Sequence, residues 1–144
     1  MNIINGGAHA DNDLNIQEFM IRPDRAKNFS DAMRICFLVI KNLSKIIENK
    51  GLSTSVGDEG GFAPMIYNNN KALDLIVSAI KKSGFVNGKD VSICLDVAAN
   101  ELYKNNKYSI HSKSYISVKK SIQQYKKIIN KYKIKYNRRS FRRE

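Results

Sequence analysis

The sequence predicts an α/β fold, and three stretches carry that expectation. Residues 29–50 and 68–83 repeat apolar side chains at three-and-four spacing, the pattern of two amphipathic helices in succession. The run VSICLDV, residues 91–97, is apolar and of strand length, consistent with a fully buried parallel strand. Residues 116–132 return to helical spacing, and this alternation of helix and strand argues for parallel pairing.

Taken in order, residues 1–7 (MNIINGG) read as a short strand running into a tight turn at Gly6 and Gly7. A polar loop over residues 8–15 carries His9, Asp11 and Asp13. Residues 16–21 (IQEFMI) form a second short strand ended by Pro23, with Gln17 and Phe19 on one face and Glu18 on the other. The first helix starts on a cap from Asn28 or Ser30 and stops at Gly51. Residues 51–64, GLSTSVGDEGGFAP, follow it. There Gly57, Gly60 and Gly61 surround the adjacent acids Asp58 and Glu59, a composition poor for helix and strand that makes a loop presenting two carboxylates. Ala72, Leu73, Leu75, Ile76, Ala79 and Ile80 form the stripe of the second helix, which Gly84 ends. Residues 103–110 read as a small turn or hairpin. Residues 133–136 have the makings of another strand, and residues 137–144 read as an unstructured basic end. The predicted order is β-β-α-α-β-α, with no internal repeat.

A chain of 144 residues with 42% hydrophobic content fits one globular domain. Its formal charge of +12 is not spread evenly. Residues 1–103 hold 11 Lys/Arg against 12 Asp/Glu, whereas residues 104–144 hold 14 Lys/Arg and one acid, Glu144. The body is near neutral, so a nucleic-acid surface over the whole protein is not implied. Apolar runs fall far short of a membrane span, and the first residues lack a signal-peptide pattern. Cys36 and Cys94 lie in apolar segments without metal-type spacing, as buried thiols of a reducing compartment do, which points to the cytoplasm.

Four residues are candidates for chemistry: His9, Glu18, Glu59 and Asp96. A lone histidine in a polar loop is more often a solvated side chain. Glu18 has the alternative of simply facing outward, and the loop of Glu59 that of a solvated acidic turn. Asp96 differs, because an acid flanked by apolar residues needs a cation, a metal or several donors. Oxygen ligands at a strand end suit Mg2+ better than Zn2+ where Cys and His do not cluster.

NIINGGAHADNDLNIQEFMIRP, GLSTSVGDEGGFAP and ICLDVAANELYKNNKYSI together resemble enolase, the phosphopyruvate hydratase of glycolysis, and the helices between them are similar to that family too. The resemblance implies part of an enolase-type TIM (β/α) barrel over residues 1–134, incomplete, with residues 135–144 a divergent, disordered basic tail. It implies reversible dehydration of 2-phosphoglycerate to phosphoenolpyruvate. In that chemistry a lysine removes a proton, Mg2+ stabilises the resulting charge, and a glutamate helps the hydroxyl leave. By motif, Glu59 in GDEGG would be that acid and Glu18 in IQEF its partner carboxylate. His9 in GGAHA would lie on a loop closing over the substrate, and Asp96 in CLDVA would be one Mg2+ ligand. Asp58 would orient the loop.

The sequence also departs from the family. A complete barrel takes ~250 residues. The family's domain before NIINGG is missing, its I-E-D strand has no acidic counterpart in KYNRRSFRRE, and its base lysine matches no residue of this chain. These departures predict an internal segment of an enolase, from a slipped or degraded reading frame, inactive alone and partly ordered. The homodimer of complete family members is not expected here. A second reading takes the basic C-terminal segment, with its interleaved tyrosines, as a non-specific nucleic-acid-binding module.

Overall fold

The computed structural model describes residues 1–111 and 114–140. Strand β1 (Asn2–Asn5) runs into a single 3-10 turn, Gly7–His9, and β2 (Glu18–Arg22) returns antiparallel to it. Two helices follow, α1 (Phe29–Glu48) and α2 (Asn69–Lys82), then β3 (Ser92–Asp96). A short helix α3 (Ala99–Leu102) leads into β4 (Tyr103–Lys104), β5 (Lys107–His111) and β6 (Ser114–Ser117). Helix α4 (Val118–Tyr132) and β7 (Tyr136–Arg138) complete the described elements.

The main sheet has the order β1-β2-β3-β7. It is mixed: β3 lies antiparallel to β2 and parallel to β7, so parallel pairing holds on one side of β3 only. The register matters for the site. Asn5 pairs with Glu18, Glu18 with Asp96, and Asp96 with Arg138, forming one row across the sheet. Residues opposite one another in such a row share a face.

The helices begin on side-chain caps. Asn28 accepts from the Asp31 N–H, Asn68 from the Asn70 N–H and Ser117 from the Lys120 N–H, each supplying one acceptor that the first turn lacks. Ile35, Val39, Leu43 and Ile47 of α1 and Leu73, Ile76 and Ile80 of α2 are buried. They join Phe19, Ile21, Ile93 and Leu95 of the sheet in a single core. Cys36 and Cys94 are buried and free, and burial pushes both thiols up from their ordinary value. Among the described residues no helix is long and apolar enough to cross a membrane.

Two segments differ from the sequence expectation. Residues 116 and 117, expected to start the last helix, instead end strand β6, because Ile116 pairs with Tyr108 and Ser117 caps α4. Residues 136–138 are strand where an unstructured end was expected from residue 137. KYNRR has no alternating apolar pattern, and pairing with β3 together with ion pairs to Asp96 supplies what propensity does not. The remainder of that expectation, residues 141–144, lies outside the described residues.

Candidate functional site

The site lies where the parallel strands β1, β3 and β7 end and β2 begins. Gly6 and Gly7 turn the chain after β1. Their N–H groups donate to Gln17 O at 3.0 Å and Leu14 O at 2.7 Å, tying the turn to the approach of β2. A Cβ on Gly6 would lie 2.5 Å from Leu14 Cβ and 2.6 Å from Ile16 O, so only glycine permits this approach. The turn delivers His9. Its Nε2 lies 2.5 Å from the Gln17 side-chain amide, and its Nδ1 is buried with no described hydrogen-bond partner.

The acidic loop docks on the outer edge of β1. The Asn5 N–H donates to Phe62 O at 2.9 Å, and the Phe62 N–H donates to Ile3 O at 3.0 Å. Buried Asn5 accepts from the Gly61 N–H through Oδ1 at 2.7 Å. The Asp58 N–H donates to His9 O at 3.2 Å, joining the loop to the histidine turn. Asp58 thus contributes a backbone tie between the two loops. The result is convergence. One ligand atom each from His9, Glu18 and Glu59 lies within 4.8 Å of the others, with His9 and Glu18 half-buried and Glu59 exposed. Three separate elements bring an imidazole and two carboxylates together, a set able to hold a cation or to pass protons to a bound ligand.

Asp96 ends β3 and is fully buried. Arg139 meets it as a fork, donating from Nε to Oδ1 at 2.7 Å and from Nη2 to Oδ2 at 2.8 Å. Arg138 Nε lies 3.1 Å from Oδ2, and the Ala98 N–H donates to Oδ1 at 3.2 Å. Arg139 Nη2 also donates to Gln17 Oε1 at 2.8 Å. Its hydrogen bond to Asp96 raises the Arg139 guanidinium above its ordinary value against the opposing effect of burial, and the charges of Asp96, Glu18 and Glu101 add to the rise.

Sequence reasoning did not single out Gln17, Arg138 or Arg139. Gln17 had a signal, since it is a polar side chain in phase with buried Phe19, and it is itself buried. The arginines had only an indirect one: a buried acid that required a cation, a metal or several donors. The nucleic-acid reading gains no support, because Tyr108 and Tyr132 of the interleaved tyrosines are buried and Tyr125 packs against the core. Burial raises the Tyr125 hydroxyl well above its ordinary value.

The family model for the enolase C-terminal TIM barrel domain matches residues 1–141. An enolase of Pelagibacter ubique (strain HTCC1062) is 80% identical over 135 residues, covering 94% of this chain and 32% of the relative. The chain therefore spans about a third of the length of that curated relative. On both findings, the chain belongs to the enolase family, within its C-terminal TIM barrel domain.

Proposed function

We propose that this chain carries the hydroxyl-departure half of an enolase site, in a whole protein that interconverts 2-phosphoglycerate with phosphoenolpyruvate and water in the cytoplasm. The observation that carries the reading is the convergence of His9, Glu18 and Glu59 from three elements at one end of the sheet. In this reading Glu59, protonated, donates to the departing hydroxide. Glu18 is its partner carboxylate beside the leaving group. His9, on a turn hydrogen-bonded to the acidic loop, bears on the substrate and helps exclude water. Proton delivery of this kind contributes on the order of 10²–10⁴-fold to rate.

Mg2+, where the family's reaction uses it, would supply stabilisation of negative charge on the substrate. Asp96, the residue matched to a metal ligand, does not fit that role here, since two guanidinium groups and a backbone N–H occupy its oxygens. The family's base lysine matches no residue of this chain, and the 144-residue chain alone is expected to give no turnover of 2-phosphoglycerate.

A chimera tests the reading. Residues 1–134 of this chain replace the matching part of the Pelagibacter ubique enolase, and phosphoenolpyruvate formation is followed by absorbance. Turnover is expected, with a loss on the order of 10²–10⁴-fold in kcat on Glu59→Gln. A folded chimera whose kcat is indifferent to Glu59→Gln refutes the role of Glu59.

A further inference from the structure

We propose that Arg139, backed by Arg138, is the resident counter-cation of Asp96, and that this chain thereby excludes a divalent cation from the end of β3. A carboxylate offers about four lone-pair sites. On Asp96 four donors face them: Arg139 Nε and the Ala98 N–H at Oδ1, Arg139 Nη2 and Arg138 Nε at Oδ2. Asp96 is 0% exposed, so no water supplements the set from bulk solvent, and an uncompensated charge there would be costly. The compensation is a planar fork that matches carboxylate geometry and remains protonated at any ordinary pH.

The fork is also held by its own backbone. Val97 N–H donates to Arg138 O at 3.1 Å and Ala99 N–H to Arg139 O at 2.8 Å, so both arginines are laced to the chain just past Asp96. Arg139 holds a left-handed φ of 47°, which a non-glycine residue keeps only under such restraint. Its third hydrogen bond, to Gln17 Oε1, spans from β7 to the start of β2. A divalent ion replacing the fork would have to break these contacts and then sit beside Arg138, which the register places opposite Asp96. Oxygen-rich sites for Mg2+ gather several carboxylates around the ion, whereas Asp96 has Glu18 opposite it on β2 and a positive charge, Arg138, opposite it on β7. The sheet end therefore carries a genetically encoded cation that a chelator cannot remove.

The test uses the full 144-residue chain and reads no turnover, so it stands apart from the role given to Glu59. Mn2+ is the probe, followed by electron paramagnetic resonance, with Glu59→Gln in the background to disable the His9–Glu18–Glu59 cluster. No saturable Mn2+ binding is expected, and thermal unfolding of the unchanged chain is expected at the same temperature in EDTA and after removal of EDTA without added metal. Saturable Mn2+ binding in the Glu59→Gln chain overturns the proposal, as does a chain that folds only when Mg2+ is present. Arg139→Asp in the same background is expected to create saturable Mn2+ binding, and a folded variant that stays blind to Mn2+ counts against the proposal. If Arg139→Asp does not fold, Arg139→Lys decides: it keeps the charge and loses the fork. A lowered Tm without Mn2+ binding is expected, and an unchanged Tm refutes the fork.

Discussion

Asp24 lies in the turn after β2, where Arg22 Nε donates to its Oδ1 at 2.5 Å and Lys135 Nζ lies 3.4 Å from its Oδ2. The Ser92 hydroxyl also donates to Oδ2. Burial by itself would raise this carboxyl, but the hydrogen bonds from Ser92, Arg22 and Lys135 outweigh it and hold the group below its ordinary value. A carboxyl depressed in the folded state stabilises the fold above its unfolded pKa, about 3.9. That contribution is lost as the pH falls through the lower, folded value. Asp24→Asn is expected to cost about 0.5–1 kcal/mol at pH 7, the scale of a partly exposed pair. The difference from the unchanged chain should shrink in melts taken progressively below pH 4, and a gap that persists there contradicts the assignment. Asp96 makes the contrasting case at this scale. From sequence its need for a cation, a metal or several donors was legible, because an acid among Ile93, Cys94, Leu95 and Val97 cannot remain unpaired. The identity of the partner was not, because Arg139 is remote in sequence and sits in a segment with no structural periodicity.

At the scale of elements, the helices were the most legible, since their stripes and caps are local. Asn28 caps α1, and the residues read as the stripe of α2 are its buried ones. Strand β6 was not, and β7 was legible only at Tyr136, because each depends on a partner strand rather than on its own pattern. The acidic loop was legible as a loop, but its docking on β1 was not. Gly61 is where that docking is tightest. A Cβ there would meet Asn5 Oδ1 at 2.6 Å and Ile4 N at 2.9 Å, and the second of these is backbone and cannot swing aside. Gly61→Ala is expected to destabilise the chain by about 1–3 kcal/mol through this overpacking. A urea titration checks it, read as a lower midpoint at unchanged slope. An unshifted midpoint means that the loop is not held against β1.

For the whole molecule, the sequence expectation of a partly ordered product rested on the exposed edges of an incomplete barrel. Among the described residues a continuous core unites both helices, three strands of the main sheet and Tyr132 and Ile134 beyond them. A single core unfolds as a unit. Thermal melts followed by far-ultraviolet circular dichroism and by tyrosine fluorescence are expected to coincide, and separated transitions would place the β7 end outside the cooperative unit. At this scale the site was legible only through family resemblance, since nothing local brings residues 9, 18 and 59 together. The strand order has a further consequence, in time. The β1–β2 pair and the α1–α2 pair each join neighbours along the chain, but β2 meets β3 only after both helices have been passed, and β7 joins last in sequence. Contacts between distant segments carry a loop-closure cost that local ones escape, so they form later in folding. The row Asn5–Glu18–Asp96–Arg138 crosses all of those junctions. The chemistry-bearing end of the sheet is thus the part of the molecule that exists only when folding is finished.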